Sequence, residues 1–227
     1  MSRIISICDL LDECYGVKKW DGGLPLLDEL IYTILSQNTS ASNCNRAYKS
    51  LTDSFDMWDA VADATVEEIA ARIKVGGLAN IKAPRIKNIL QQIRSRQGKL
   101  DLQWLADLPD EEGMKYLLGF DGVGKKTAAC VLMFALGRPV LAVDTHVHRV
   151  SMRLGLIGNI SADAAHEQLG GIVSADRVYS FHLNMVAHGR QICHARGPKC
   201  SECVLRDLCP YWAANKTTKE AGCGETY

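Results

Sequence analysis

The sequence predicts an all-α fold, and three observations support this. Apolar residues recur at helical spacing along the 227-residue chain, and glycine and proline residues separate the apolar segments. Helix start signals also precede several of these segments. We find no sustained period-2 alternation, no low-complexity tract and no convincing repeat. A chain of this length can bury a large core, as one large domain or two small ones.

Two helices are expected at the start of the chain. Apolar residues between Ile4 and Cys14 follow helical spacing and predict a first helix that ends near Gly16. A linker at 22–25 follows. The apolar residues of 26–35 predict a second helix, so that Ser36, Gln37, Asn38 and Thr39 lie at a helix end.

The middle of the chain continues in the same way. Thr65 and Glu68 have the spacing of a capping box before a short helix, and 76–80 breaks that helix. Isoleucine and leucine residues between 86 and 93 predict the next core-facing helix, and Pro109 suits a helix N-terminus. The expected solvent side of the 86–93 helix carries Arg85, Lys87, Arg94 and Arg96.

A short glycine motif opens a further helix. Gly122 and Gly124 flank Val123, and glycine allows tight turns and close backbone approach. The helix at 125–136 has free N–H groups in its first turn, which attract anions such as phosphate. By themselves, such glycines usually form only an interhelical turn, and adjacent lysines such as Lys125 and Lys126 are usually solvated.

Asp144 follows a short apolar run at 140–143 and precedes a predicted helix at about 145–154. An aspartate there can act simply as the N-cap of that helix. Further helices are expected at about 161–173 and 177–188.

Four of the nine cysteines lie within a 17-residue segment, with the spacing Cys-x6-Cys-x2-Cys-x5-Cys. Thiolates in such a segment ligate either Zn²⁺ or an iron–sulfur cluster, and zinc sites more often show two Cys-x2-Cys pairs. The proposed ligands are Cys193, Cys200, Cys203 and Cys209. Cys223 lies in a polar tail and is a candidate free thiol.

Two of these motifs, in this order, resemble the endonuclease III family of helix-hairpin-helix DNA glycosylases. The first consists of 122–128 followed by 143–146, and the second is the cysteine loop at 193–209. The resemblance implies that Lys126 attacks the sugar C1′ and that Asp144 assists it. It also favours a [4Fe–4S] cluster on the four cysteines.

The resemblance, which runs from about 25 to about 212, implies the domain organisation. Residues 22–137 would form a six-helix barrel that contains the helix-hairpin-helix motif. Residues 1–21 and 138–212 would form the iron–sulfur cluster lobe, and 213–227 would be a flexible tail. In the family, DNA lies across the cleft between the lobes, where the lysine and the aspartate face each other.

DNA binding is expected at several positions. A nucleotide flipped out of the duplex leaves a gap, which such enzymes fill with inserted side chains. By resemblance Gln37 and Leu78 are these fillers, although the residues alone suggest a polar helix end and a leucine packed on the core. The full expected DNA-binding set is Gly122, Val123, Gly124, Lys125, Gln37, Leu78, His146, Arg149 and Arg190.

Net charge is zero, but its distribution is uneven. Residues 1–71 carry twelve acidic and five basic side chains, whereas 72–100 carry eight basic side chains and no acidic one. The basic segment is either a solvated face or a phosphate-binding surface. A second basic group surrounds the cysteines, so we expect the cluster to hold a basic loop against phosphates without performing the hydrolysis. This group is Arg190, Arg196, Lys199 and Arg206.

Some positions depart from the family pattern. Phe120 and Asp121 stand where Leu-Pro is usual, Leu118 stands where a glutamate is often found, and Ser40 with Ala41 replaces a stretch that commonly carries an aspartate. These departures leave the substrate range open.

The resulting prediction is a base-excision repair enzyme: a bifunctional DNA glycosylase and abasic-site lyase acting on damaged, oxidised pyrimidine bases. Its partner would be double-stranded DNA with a damaged base or abasic site. Two rival functions are a monofunctional adenine-mismatch glycosylase and a non-catalytic DNA-binding iron–sulfur module.

We expect an intracellular, cytoplasmic and nucleoid-associated monomer without a membrane partner. Acidic residues interrupt the apolar N-terminus, and no apolar run approaches the 18 residues of a membrane span.

Overall fold

The computed structural model describes residues 2–221, and these residues form an all-α structure without a strand. The all-α prediction is therefore confirmed. The α-helices are α1 (Arg3–Tyr15), α2 (Leu26–Ser36), α3 (Ala41–Ser54), α4 (Trp58–Asp63), α5 (Val66–Ile73), α6 (Ala79–Gln97), α7 (Asp110–Leu118), α8 (Lys125–Leu136), α9 (Thr145–Arg153), α10 (Ala162–Gly170), α11 (Val178–Gln191) and α12 (Pro210–Ala221).

The described residues divide into two compact units. The middle unit comprises 22–138 and contains α2 to α8. The terminal unit comprises 2–21 and 139–221 and contains α1 and α9 to α12.

The core of the middle unit is built around α2 and α8, which pack against each other. In α2, all the leucine and isoleucine side chains are buried, and in α8 every residue from 127 to 133 is buried. Glu29 and Thr33 are the polar residues that α2 places in this core. Continuous apolar burial on both helices explains why the chain folds tightly around them.

The core of the terminal unit has α11 at its centre, packed against α1 and α9. A buried polar group joins α1 to α11: Asp12 Oδ1 accepts hydrogen bonds from Ser180 Oγ at 2.5 Å and from Asn184 Nδ2 at 2.8 Å. His182 on α11 is bonded through Nδ1 to the Ala142 carbonyl at 2.8 Å. The segment before Asp144 is thereby fixed to α11.

Several predicted helix boundaries are confirmed. Thr65 and Glu68 form a reciprocal capping box at the start of α5. Gly16 ends α1, and Pro109 precedes the first residue of α7. Helix α12 extends through 213–221 of the segment that was expected to be a flexible tail, and Cys223 lies outside the described residues.

Candidate functional site

The turn between α7 and α8 forms the predicted hairpin in the middle unit. Gly122 has a φ of 74°, which only glycine adopts readily. A Cβ atom on Gly122 would lie 1.8 Å from Nε of Arg85, so the guanidinium packs directly against the glycine. Val123 is buried. The turn is therefore shaped by contacts inside the middle unit.

Gly124 is a glycine for a different reason. Its backbone is extended, with φ of −89° and ψ of 177°, and no atom lies within 4 Å of the position of a Cβ. Neither its conformation nor a described neighbour excludes a side chain. The space beside it is open to a ligand that approaches the backbone closely.

Lys126 lies in the first turn of α8, next to Lys125, and both side chains are half-buried. That turn carries no acidic residue, so its N–H groups and the helix dipole leave it electropositive. Within residues 2–221, the amino group of Lys126 makes no hydrogen bond and no ion pair within 4 Å. The amine is thus available to a substrate.

Gln37 is fixed against the hairpin. Its Nε2 donates to the Gly122 carbonyl at 3.3 Å and to Thr127 Oγ1 at 3.2 Å. Its Oε1 accepts from Arg85 Nη1 at 3.0 Å. Both ends of the amide are therefore used, and the side chain is held beside the residue that follows Lys126.

Leu78 lies at the N-cap of α6 in a left-handed conformation, with a φ of 52°. Such a conformation is rare for a leucine and costs roughly 1–3 kcal/mol. Its side chain is 47% exposed. Leu78 is therefore not a leucine packed on the core, which is what the residues alone suggested. An exposed apolar side chain on a strained backbone suits a residue that inserts into a partner.

Lys82 connects the loop before Leu78 to the helix end before Gln37. Its side chain is fully buried, and Nζ donates to the Leu35 carbonyl at 2.7 Å and to the Gly76 carbonyl at 3.0 Å. In the sequence analysis Lys82 was counted only as part of the basic segment. Its position four residues before the buried Ile86 could have indicated that it lies on the buried face of the helix.

The rest of the basic segment is also partly occupied within the middle unit. Arg94 pairs with Asp63 at 2.7 Å, and Lys99 pairs with Asp101 at 2.8 Å. Arg85 was predicted to lie on the solvent side of its helix, but its guanidinium donates to Gln37 instead. Fewer of the basic side chains of 72–100 are therefore available to bind phosphate than the composition of the segment indicates.

Asp144 lies in the terminal unit and is the N-cap of α9. Its Oδ1 accepts from the backbone N–H of His146 at 2.9 Å and of Val147 at 2.7 Å. Its Oδ2 accepts no hydrogen bond from the part of the chain that the structure describes. The capping interpretation is correct, and it leaves one carboxylate oxygen for a second role.

Arg149 is used inside the terminal unit. It donates to the Cys193 carbonyl at 2.9 Å and to the Gly189 carbonyl at 2.9 Å, and its Nη2 lies 3.2 Å from His146 Nδ1. These internal bonds fix the Arg149 guanidinium, and the DNA contact expected of it stays a prediction. Arg190, in contrast, is exposed.

The four cysteines of the 193–209 loop line one cavity. Arg153 Nη1 donates to Cys193 Sγ at 3.3 Å, and Cys203 Sγ lies 3.4 Å from His188 Nε2. Burial, together with the three neighbouring thiols, raises the pKa of Cys203 to about 11. The thiols are thus close enough to act on one another electrostatically.

The donor set fits an iron–sulfur cluster, because such clusters are held by four cysteine thiolates and the four cysteines line one cavity. Four thiolates can also ligate Zn²⁺, so the family of the chain decides between the two metals.

Comparison with known proteins identifies the family. A model of the HhH-GPD superfamily of base excision DNA repair proteins matches residues 31–174, and a model of the iron–sulfur binding domain of endonuclease III matches residues 193–209. Endonuclease III of Thermotoga maritima is 35% identical over 183 residues, which are 81% of this chain and 82% of that protein. The chain belongs to the endonuclease III family.

Two further likenesses extend this result. A candidate DNA glycosylase of Arabidopsis thaliana is 45% identical over 132 residues, which are 58% of this chain but only 45% of that longer protein. The solved structure of a trapped endonuclease III–DNA covalent intermediate matches with a TM-score of 0.80 and 26% identity, covering 95% of this chain and 99% of that one.

This endonuclease III family member is a DNA glycosylase of base excision repair. Its cofactor is a [4Fe–4S] cluster, and the matched iron–sulfur binding domain at 193–209 contains the four cysteines. No helix of the described residues is long and apolar enough to cross a membrane.

The departures from the family pattern occupy defined places in this endonuclease III homologue. Phe120 is buried with the Arg96 guanidinium 5.1 Å from its ring centre, whereas Asp121 is exposed and Leu118 is 40% exposed. Ser40 caps α3 by accepting from Asn43 N at 3.2 Å, and the adjacent Ala41 is exposed. The serine thus supplies the helix cap that an aspartate could also supply.

Proposed function

We propose that the protein is a bifunctional DNA glycosylase and abasic-site lyase in which Lys126 is the nucleophile and Asp144 assists it. The observation that carries the proposal is a half-buried amine that makes no hydrogen bond and no ion pair within 4 Å among the described residues, held in the first turn of α8 by a preformed hairpin. An amine in such a setting can add to a sugar carbon and form a Schiff base.

The proposed reaction proceeds in two stages. Lys126 Nζ forms a bond to C1′ while the bond from C1′ to the damaged base breaks, and the base leaves with the electron pair. The amine loses its protons and the sugar ring opens to a Schiff base. Removal of a proton from C2′ then drives β-elimination, which breaks the C3′–O bond and cuts the strand 3′ to the abasic site.

Asp144 has two tasks in this scheme. Its carboxylate helps to deprotonate the attacking amine, and it stabilises the positive charge that develops on the sugar. The two backbone bonds to Oδ1 support these tasks because they fix the carboxylate while Oδ2 faces no donor among the described residues.

DNA binding in this proposal uses both backbone and side chains. The amides at Gly122, Val123 and Gly124, together with Lys125, bind phosphate, and the open space at Gly124 supports such an approach. Gln37 and Leu78 fill the gap left by the flipped nucleotide. His146 and the exposed Arg190 lie near the remaining phosphates, and the cluster, when bound, keeps the basic loop in the shape that meets them.

The substrate and setting are also part of the proposal. We expect oxidised pyrimidines in double-stranded DNA to be the preferred lesions, the protein to act as a monomer, and the site of action to be the nucleoid in the cytoplasm. A panel of duplexes with thymine glycol, dihydrouracil, uracil and adenine opposite 8-oxoguanine measures the preference.

The test is an assay on a duplex with a single abasic site. Strand cleavage is the expected result, whereas base excision without cleavage would indicate the mismatch glycosylase and binding alone the non-catalytic module. Asp144→Asn should slow excision by about 10²–10⁴-fold with little loss of DNA affinity. Asparagine caps a helix as well as aspartate does, so α9 remains intact in this variant.

Salt dependence gives a second test of DNA binding. Each neutralised phosphate contributes about −0.9 to the slope of log affinity against log salt. A steep slope is expected from several phosphate contacts, and a flat response would contradict the proposal.

A further inference from the structure

Glu29 is a carboxylic acid in the apolar core of the middle unit. It lies on α2, its side chain is only 6% exposed, and Oε1 accepts a hydrogen bond from Thr33 Oγ1 at 3.0 Å. Glutamate is almost never buried to this extent unless it has a partner. Its burial on the core-facing side of α2 therefore indicates a role other than packing.

Glu29 begins a polar stripe that leads to the hairpin. Glu29, Thr33 and Gln37 lie four residues apart and therefore share one face of α2. The last of them donates to Thr127 Oγ1 on α8 at 3.2 Å. Because α2 packs against α8, this stripe runs along the helix that carries Lys126.

The charged and titratable groups around Glu29 come from three packed helices. Glu29 interacts electrostatically with Lys126 on α8 and with Cys44 and Tyr48 on α3, and Lys82 on α6 interacts with Cys44. Tyr32 lies on α2 itself.

Among these groups one cation acts on Glu29. Burial raises the pKa of Glu29 to about 7, while the Thr33 hydrogen bond and the nearby Lys126 lower it. Burial also raises the pKa values of Cys44 and Tyr48, which remain neutral at pH 7. The ammonium of Lys82 is already bonded to two carbonyls. Of the described cations, Lys126 is thus the natural partner of the Glu29 carboxylate.

We propose that Glu29 accepts the ammonium proton of Lys126 and so prepares the neutral amine, whereas Asp144 acts later, on the amine as it attacks and on the charge that develops on the sugar. The proton moves from Nζ to a carboxylate oxygen of Glu29, which leaves a neutral amine and a neutral carboxylic acid and requires no other reactant. This inference rests on the proposed role of Lys126 as the nucleophile.

The physical setting suits this transfer. A proton acceptor works best when it changes state near the operating pH, and a buried carboxyl group does so where an exposed one does not. No ion pair within 4 Å joins Lys126 to Glu29 among the described residues, so the transfer requires movement of the flexible lysine stem or one bridging water molecule. In the poorly solvated interior around Glu29, the transfer also removes a buried carboxylate charge.

The test is the pH dependence of Schiff-base formation on an abasic duplex, followed by borohydride trapping in single turnovers. In the wild type the rate should rise through pH 7 as Glu29 ionises. Glu29→Gln should reduce the rate at pH 7 by about tenfold and move the rise to higher pH, because the proton must then leave to solvent. DNA affinity, measured by fluorescence anisotropy, should not change.

Two further variants sharpen the test. Thr33→Val removes the hydrogen bond that lowers the pKa of Glu29. In this variant the rise in the rate of Schiff-base formation should therefore also move to higher pH. Asp28→Asn is the matched control, because Asp28 accepts from Tyr48 OH and Trp58 Nε1 and makes no interaction with Lys126. The control should keep the wild-type profile.

The outcomes separate this inference from the proposed function. Glu29→Gln with the wild-type rate and profile would overturn the inference alone, as would a Thr33→Val profile that does not shift. A wild-type protein that gives no trapped complex at any pH would overturn the nucleophile role itself. Circular dichroism establishes that each variant is folded, and Thr33→Val decides the matter if Glu29→Gln does not fold.

Discussion

The hairpin of the middle unit and the cysteine loop of the terminal unit are held in shape by different means. In the hairpin, Gly122 packs against Arg85, Val123 is buried, and Gln37 bonds to the Gly122 carbonyl. In the 193–209 loop, Leu205 is the sole buried residue and two three-residue 3₁₀ helices are the only regular structure. The hairpin is therefore preformed by packing, whereas we expect the loop to depend more strongly on its cluster.

Loss of the cluster should produce the largest difference between the two regions. We expect Cys200→Ser with Cys203→Ser to abolish the absorbance of the cluster and to expose the basic loop to trypsin, because few contacts of its own stabilise the loop. Amide hydrogen exchange in α8 should change little. Cys14→Ser, which replaces an exposed cysteine of the same unit, is the matched control and should keep the cluster.

A colourless wild-type protein with stoichiometric zinc would contradict the cluster. If the hairpin and the loop of the double cysteine variant lost protection equally, the proposed difference in how the two regions are stabilised would be wrong.

Substitution of Gly122 should have the next largest effect. Gly122→Ala introduces a Cβ 1.8 Å from Arg85 Nε at a positive φ, so we expect the free energy of unfolding of the middle unit to fall by about 2–4 kcal/mol. Urea denaturation followed by circular dichroism measures this. An unchanged denaturation midpoint would show that packing does not shape the hairpin.

The stability of the middle unit should also depend on Glu29 and pH. Burial raises the pKa of Glu29 from 4.5 to about 7, so its contribution to stability is present below pH 4.5 and is lost as the pH rises to 7. Above pH 7, Glu29→Gln should therefore be more stable than the wild type, by up to roughly 3 kcal/mol. Below pH 4.5 the two should converge. Urea denaturation between pH 4 and 8 measures the difference, and parallel curves would contradict the shift.

The smallest effect on stability is expected at Gly124. Gly124→Ala places a Cβ in open space on an extended backbone, so stability should change by less than about 0.5 kcal/mol. DNA affinity should nevertheless fall several-fold, because the methyl group occupies the space proposed for phosphate. Anisotropy titration with an abasic duplex measures this, and unchanged affinity would remove Gly124 from the binding surface.

Sequence periodicity predicted several helices because these carry their own local signals, whereas α3 and α4 were not predicted. The apolar spacing of α2, the capping box of α5 and the glycine turn before α8 are all properties of short segments. The cysteine spacing similarly predicted an iron–sulfur loop, and the iron–sulfur binding domain of endonuclease III matches the same residues, 193–209.

The residues whose surroundings the sequence did not reveal depend on long-range contacts. Lys82 and Arg149 look like surface cations, yet the first bonds the Leu35 and Gly76 carbonyls and the second bonds the carbonyls of Gly189 and Cys193. Of these four partners, only Gly76 lies close in sequence to the residue that it binds. Glu29 was missed because its charge outweighed its position on the apolar face of α2.

The central claim is that the amine of Lys126 bonds to the sugar, and borohydride trapping on an abasic duplex tests it most directly. The wild type and Lys99→Ala, a control at an exposed lysine of the same unit, should give the covalent complex. Lys126→Arg keeps the positive charge and should bind DNA without trapping it. A covalent complex formed by Lys126→Arg at the wild-type yield would contradict the account.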